Sequence, residues 1–271
     1  MVYILPIPGS DDWKIFTGYK TLEECPKDDK VHEIMIWPSA DLWQTISSQY
    51  AKDVFVPFLV KNLTENAEIR ILGRNIIDKY YDEDKEEITK ISEILLEPLI
   101  AAERKFETIL IGYYSEICER FVASQVRTGR LKSLGLRGVW PNGCKEPVKE
   151  YIKQEGFIRL SLEQNVMPVD RDLFDTIFER FLQSNIYLRC LAGPLEFSED
   201  EIKNFRKDLQ DNLPAKRQFV VGGTCLRWRH PNAKREVFSV VLTEQGVSIN
   251  VSMEGPKIRL GKRKKGVSKK K

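Results

Sequence analysis

The sequence predicts a mixed α/β fold: a leucine-rich-repeat-like solenoid of strand–helix units, followed by a C-terminal antiparallel β meander. Three observations support this prediction. Short apolar strands alternate with amphipathic helices, the strands recur at fairly regular intervals, and apolar residues alternate with polar or small ones inside each strand. A strand-plus-helix unit that repeats every 20 to 50 residues or so, roughly the interval found here, is typical of an α/β solenoid.

Equivalent apolar residues mark the six predicted strands of the repeat. They are Ile34, Ile69, Ile109, Leu134, Leu160 and Leu188. Amphipathic helices are predicted between and after these strands, over residues 42–60, 83–104, 116–126, 146–154, 171–182 and 198–209. Asp170 and Ser198 precede two of the helices as N-caps, and Gly129 and Gly156 follow two others as C-terminal stops.

Alternation within the strands indicates that helices cover only one face of the sheet. A parallel sheet covered on both faces would have apolar residues on both sides of each strand. We therefore expect an exposed face formed by Met35, Trp37, Arg70, Leu72, Leu110, Ser133, Arg137, Arg159, Ser161 and Glu163. Tryptophan and arginine dominate the energetics of protein interfaces. The predicted partner-binding residues are Trp37, Arg70, Arg137, Arg159 and Glu163, although ordinary surface positions remain the alternative.

Four segments are expected from the changes of pattern along the chain. Residues 1–30 form an irregular N-terminal segment, and residues 31–213 form the α/β repeat domain. Residues 214–254 form the meander, with β-rich runs at 224–230, 237–242 and 247–251, and residues 255–271 form a disordered basic tail.

The charge of the chain is concentrated at its C-terminal end. The formal net charge is +3, from 43 Lys plus Arg against 40 Asp plus Glu. Residues 257–271 contain nine basic and no acidic residues, so the rest of the chain is mildly acidic. Lys262, Arg263, Lys264 and Lys265 form the densest basic run. Three interpretations remain open: a solvated tail, a nuclear import signal, or a segment that binds phosphate backbones.

Residues that usually carry catalysis or bind metals are scarce. The five cysteines are widely separated and form no C-x-x-C pair, so neither a zinc site nor a disulfide framework is expected, and buried reduced thiols are favoured. Of the two histidines, His230 precedes Pro231 and is interpreted as an exposed turn residue. No phosphate-binding glycine motif and no apolar run long enough to span a membrane is present. The sequence thus predicts no enzyme, no metal, no cofactor and no small-molecule substrate.

One part of the chain, about residues 100–212, is similar to a known family. Its elements are Leu131-Lys-Ser-Leu-Gly-Leu-Arg-Gly-Val-Trp-Pro, an amphipathic helix, Phe157-Ile-Arg-Leu-Ser-Leu, and Leu173-Phe-Asp-Thr-Ile-Phe-Glu-Arg-Phe before a strand ending near Gly193. These elements resemble the large nematode-expanded family of F-box-type and F-box-associated proteins. The resemblance implies a repeat-built recognition surface. Residues 1–45 contain no F-box-like segment, and the family offers no catalytic residues to carry over.

These observations together predict a non-enzymatic protein–protein interaction module with a substrate-recognition or adaptor-like role related to that of F-box proteins. The alternative is a nuclear or nucleic-acid-associated protein that acts through its basic tail. In the absence of a signal-peptide pattern at residues 1–10, an intracellular location, cytoplasmic or nuclear, is expected.

Overall fold

A computed structural model describes most of the chain: residues 1–7, 9–17, 30–36, 44–72, 85–163, 166–183, 187–210, 219–220, 223–233, 236–244 and 246–253. Its strands are β1 Val2–Pro6, β2 Trp13–Phe16, β3 Val31–Ile36, β4 Gln44–Ile46, β5 Leu63–Ile71, β6 Phe106–Gly112, β7 Ser133–Arg137, β8 Arg159–Glu163, β9 Tyr187–Gly193, β10 Phe219–Val220, β11 Gly223–Arg229, β12 Glu236–Thr243 and β13 Gly246–Met253. Its α-helices are α1 Ser48–Tyr50, α2 Val56–Asn62, α3 Lys85–Ala101, α4 Glu116–Arg127, α5 Lys145–Lys153, α6 Arg171–Leu182 and α7 Glu199–Asn204.

These strands form one open, mostly parallel sheet. Their order is β10-β11-β12-β13-β9-β8-β7-β6-β5-β3-β1-β2-β4. The neighbours β1, β3, β5, β6, β7, β8 and β9 pair in parallel, whereas β2 and β4 at one end and β10 to β13 at the other pair antiparallel. The predicted alternation of strands and helices and the antiparallel C-terminal strands are therefore confirmed.

The six apolar positions used to measure the repeat lie side by side in the sheet. Ile34 pairs with Ile69, Ile69 with Ile109, and the row continues through Leu134 and Leu160 to Leu188. The first five of these side chains are at most 1% exposed. The spacing in sequence therefore identified the true register of the parallel strands.

Helices α3 to α6 bury their apolar faces against this row. Leu95, Phe121, Val148 and Leu173, one from each helix, belong to the same buried cluster as the inward strand residues. Asp170 caps α6, because its carboxylate accepts the backbone N–H of Leu173 at 2.8 Å. The cap that was predicted for this helix is confirmed.

Three segments differ from the sequence prediction. Residues 1–30 were expected to be irregular, but β1 and β2 lie there, because Val2, Ile4, Trp13 and Ile15 alternate inward with only short interruptions. The segment expected to be helical from residue 42 contains the edge strand β4 before α1. Helix α7 ends at Asn204 rather than near residue 209.

His230 is buried rather than exposed. It is only 4% exposed, and its ring packs edge-on against Phe181 at 5.3 Å. Its Nδ1 atom accepts the backbone N–H groups of Asn232 at 3.1 Å and Ala233 at 2.8 Å, while Nε2 lies 3.0 Å from the carbonyl of Leu182. Since Nδ1 accepts, Nε2 carries the proton and donates to Leu182. His230 and Pro231 do lie in the turn between β11 and β12, but the histidine ring points into the core and joins α6 to this turn.

Replacement of His230 by alanine should lower the free energy of unfolding by about 2–4 kcal/mol, because it leaves buried backbone groups without partners and opens a cavity. The matched control is His32→Ala, which removes the exposed histidine of β3 and should change stability little. Urea unfolding monitored by circular dichroism measures both values. Equal effects of the two substitutions would show that the His230 ring is not a structural link.

Candidate functional site

A shallow depression lies on the face of the sheet that α3 to α6 leave uncovered. It has a volume of about 240 Å³ and is lined by Arg70, Thr108, Ile109, Leu110, Ser133, Leu134, Gly135, Arg137, Arg159 and Ser161. Six of these residues, namely Arg70, Leu110, Ser133, Arg137, Arg159 and Ser161, were predicted from the alternation to face away from the helices. The structure therefore brings these six positions together at the middle of the parallel strands, where Ser161 is only 6% exposed.

The strand register explains how the three arginines come together. Arg70 lies in β5 in the row of Leu110, Gly135 and Ser161. Arg159 lies in β8 in the row of Ser133, and Arg137 lies at the end of β7. With strands about 4.8 Å apart and about 3.3 Å per residue, the three Cα atoms form a triangle with sides of roughly 12–16 Å.

Buried aromatic residues hold the backbone of two of these arginines. The indole Nε1 of Trp140 donates to the carbonyl of Arg137 at 2.9 Å, and the hydroxyl of Tyr151 donates to the carbonyl of Arg159 at 2.9 Å. Trp140 and Tyr151 are both at most 2% exposed. The Leu-x-Gly-x-Trp-Pro turn, with Gly138 at a φ of 76°, therefore folds back to position Arg137.

The floor of the depression depends on the lack of a side chain at Gly135. A Cβ atom there would collide with Cδ1 of Leu110, so the glycine lets the leucine side chain lean across β7. Thr108, Ser133 and Ser161 also line the depression and bring three hydroxyl groups to it. Thr108 and Gly135 were not among the predicted residues, although the alternation beside inward Ile109 and Leu134 places both on the outward face.

Carboxylates lie beside Arg70. Its Nε atom is 3.2 Å from Glu33 Oε1 and its Nη2 atom donates to Glu68 Oε2 at 2.9 Å. Arg70 keeps 40% of its side chain exposed, so these ion pairs contribute little to stability. Two acidic groups therefore border the depression on the Arg70 side, and Arg137 and Arg159 also line it.

The remaining predicted site residues have different outcomes. Leu72 was expected to be exposed but is only 4% exposed, and its backbone N–H donates to the carbonyl of Ile36, the last residue of β3. Glu163 pairs with Arg137 in the sheet, but its side chain is outside the described residues. Trp37 and the tail residues Lys262, Arg263, Lys264 and Lys265 also lie outside the described part of the chain.

The thiols of the described cysteines are held in their unreactive form. Burial raises the pKa of Cys144 to about 12 and also raises the pKa of Cys118 and Cys225. Because the thiolate is the nucleophile, these groups are unsuited to covalent catalysis at neutral pH. Cys118 and Cys144 are buried, as predicted. Cys25 and the side chain of Cys190 are not among the described residues.

Two nearly buried lysines on α5 form ion pairs with the next unit of the fold. Lys145 Nζ donates to Glu196 at 2.7 Å and Asp170 at 3.1 Å, and Lys149 Nζ donates to Glu146 at 2.8 Å and to Asp172. Burial opposes the charged form of both lysines, but the hydrogen bonds to carboxylates outweigh it and raise the pKa of each. A Schiff-base lysine needs a lowered pKa. These side chains therefore join α5 to α6 and to the segment after β9.

Comparison with family models, with curated proteins and with solved structures finds no match to this chain. Within the described residues, no group of three or more histidine, cysteine or acidic side chains is arranged to hold a metal ion. None of the described helices is long and apolar enough to cross a membrane.

The substitution Lys145→Met should lower the free energy of unfolding at pH 7 by about 1–3 kcal/mol, because Asp170 and Glu196 would lose their shared cation. Lys203→Met is the control, since the ion pairs of Lys203 are exposed on α7 and should matter little.

The effect of Lys145→Met should also depend on pH. Burial raises the pKa of Asp170, but the N–H of Leu173 and the ammonium of Lys145 together lower it below 3.8. A lowered carboxyl pKa stabilises the fold above the unfolded value, and that stabilisation is lost as the pH falls through the folded value. The stability difference between wild type and Lys145→Met should therefore narrow below about pH 4 in urea titrations, and a constant difference would contradict the assignment.

Proposed function

We propose that this chain is a non-enzymatic protein-interaction module that binds a protein partner on the uncovered face of its parallel sheet. The observation that carries the proposal is the convergence of Arg70, Arg137 and Arg159, from three strands, on one shallow polar depression. Trp37 and Glu163 complete the predicted binding surface. A leucine-rich-repeat-like solenoid over residues 31–213, of the F-box-associated type, is the architecture proposed to present this surface inside the cell.

Physical features of the depression favour recognition over catalysis. It is shallow and polar, whereas sites for small molecules are usually larger, enclosed and mostly apolar. The backbones beneath Arg137 and Arg159 are held by sheet hydrogen bonds and by Trp140 and Tyr151, so partner binding would order few groups. The raised pKa values of the described thiols and of Lys145 and Lys149 also argue against nucleophilic chemistry.

Paired substitution of Arg137 and Arg159 by alanine should reduce partner recovery at least tenfold. Arginine anchors at the centre of an interface typically contribute about 1.4 kcal/mol or more, which corresponds to that factor. Quantitative affinity capture of the wild-type chain, followed by mass spectrometry, defines the specific partners, and the same capture with the double variant tests the surface.

The matched control for this experiment is Arg120→Ala. Arg120 is 58% exposed on α4, on the helical side, where it pairs with Glu97. Urea unfolding of each variant excludes loss of fold as the cause of lost binding. If every specific partner survives the double substitution, the proposed face is wrong; recovery of a ubiquitin-ligase adaptor would favour the adaptor-like role.

A second candidate function involves the basic tail. The nine basic residues of 257–271, without an acidic residue among them, favour nuclear import or contact with nucleic-acid phosphates. The mildly acidic remainder of the chain would oppose a polyanion, which favours import over strong nucleic-acid binding.

Removal of residues 257–271 should abolish any binding of the chain to duplex DNA. Because counterion release drives such contacts, the affinity of the full chain should fall about 10³-fold or more between roughly 50 and 200 mM salt if six or more phosphates are contacted. Fluorescence anisotropy with labelled duplexes measures both effects, and a tagged truncation reports on nuclear accumulation. DNA binding that persists in the truncation would show that the folded part recognises nucleic acid.

A further inference from the structure

The donors that line the sheet depression have a common chemical preference. Arg70, Arg137, Arg159, Thr108, Ser133 and Ser161 all line one volume of about 240 Å³, and together they carry three guanidinium groups and three hydroxyls. Arginine forks and hydroxyls together are suited to an anion that bears several oxygens. We propose that this depression binds a phosphoryl group on a phosphoserine or phosphothreonine of the protein partner, an inference that rests on the proposed interaction function.

Existing ion pairs favour a phosphoryl group over a carboxylate. Arg70 already contacts Glu33 and Glu68, at 3.2 and 2.9 Å, and both belong to the same sheet. An incoming aspartate or glutamate would therefore compete against carboxylates of equal charge that are tethered beside the guanidinium. A phosphate monoester carries a charge of about −1.5 to −2 and three strong acceptor oxygens. It therefore offers Arg70 more negative charge and more acceptor atoms than either carboxylate that it displaces.

Size and surrounding charge favour a single phosphoryl group. The depression is smaller than the roughly 300–1,000 Å³ of typical small-molecule pockets, so it accommodates a group rather than a whole nucleotide cofactor. On the β5 side, Glu33 and Glu68 would repel the neighbouring phosphates of a nucleic-acid backbone. A phosphorylated side chain within a peptide segment meets both conditions, because its flanking residues need carry no negative charge.

The triangle of arginines also explains why the site requires the folded sheet. Arg70, Arg137 and Arg159 belong to three separate strand–helix units, and only parallel pairing of β5 to β8 brings them to one depression. Their Cα atoms lie roughly 12–16 Å apart, so a phosphoryl group near the centre can be approached from three sides. A short continuous segment of the sequence could not place three arginines in this triangle.

The test uses the full chain and degenerate peptide libraries with a fixed central phosphoserine or phosphothreonine, matched by libraries with serine or threonine. Fluorescence anisotropy at low and at near-physiological salt, about 50 and about 150 mM, should give at least tenfold tighter binding of a phosphorylated library. Arg137→Gln and Arg159→Gln should each remove most of that preference. Arg120→Gln, and a full chain with Lys262, Arg263, Lys264 and Lys265 changed to alanine, should retain it.

A further variant distinguishes recognition from loss of fold. Glu33→Gln removes a carboxylate that competes for Arg70 while keeping the side-chain shape, so it should tighten phosphopeptide binding severalfold. A misfolded protein would not gain affinity. An unchanged or weaker affinity of Glu33→Gln would contradict the competition on which the preference for phosphate rests.

Three results would overturn the inference. The phosphorylated and unphosphorylated libraries could bind equally; the preference could survive in both arginine variants; or a single-stranded oligonucleotide could displace the phosphopeptide in proportion to its length, which would indicate a polyanion site. If captured partners depend on Arg137 and Arg159 but bind equally after phosphatase treatment, the phosphoryl inference fails and the proposed interaction function stands. Loss of arginine dependence for every partner would instead reject the proposed function itself.

Discussion

The shared register of the parallel strands is the constraint on which the rest of this structure depends. One row of buried aliphatic side chains, including Ile69, Ile109 and Leu134, runs across the sheet and meets the apolar faces of α3 to α6. Because successive side chains in a strand point to opposite faces, this row also determines which residues face away from the helices. A slip by one residue in any strand would bury polar groups and expose aliphatic ones.

The candidate site is a direct consequence of that register. Arg70, Ser133 and Arg159 lie on the uncovered face because their neighbours in each strand are needed in the core. The residues that turn this face into a depression are less obvious. Gly135 makes room for Leu110, while Trp140 and Tyr151, both buried, hold the arginine-bearing backbones from the other side of the sheet.

The C-terminal end of the sheet is stabilised differently from its middle. At the C-terminal end, antiparallel β11 to β13 pack on α6 through an aromatic cluster in which Phe178, Trp228 and Phe238 meet edge to face. His230 adds hydrogen bonds between α6 and the turn before β12. Between neighbouring helical units, buried Lys145 and Lys149 link carboxylates from separate segments. These contacts join the C-terminal strands to α6 and the helices of neighbouring units to one another.

Patterns in the sequence specified most of the local structure and the two faces of the central strands. Apolar periodicity located β3 and β5 to β9, their register and the uncovered face, because burial demands a period of two in strands and of about 3.6 in helices. The prediction failed at β1 and β2, because Pro, Gly and Asp residues interrupt their alternating pattern. It also failed at β4 and at His230, where a turn residue becomes part of the core.

Only the tertiary structure decided which outward residues meet. Trp140 belongs to a turn pattern in the sequence, yet it is buried and its indole donates to the carbonyl of Arg137. The alternation places Thr108 and Gly135 on the outward face but does not show that they line the same depression as the arginines. The pairing of Arg70 with Glu33, from a different unit of the chain, likewise arises from strand order. Which strands become neighbours depends on how all the units pack together. A pattern within one segment therefore indicates which of its residues face outward, but it does not indicate which residues of other strands lie beside them.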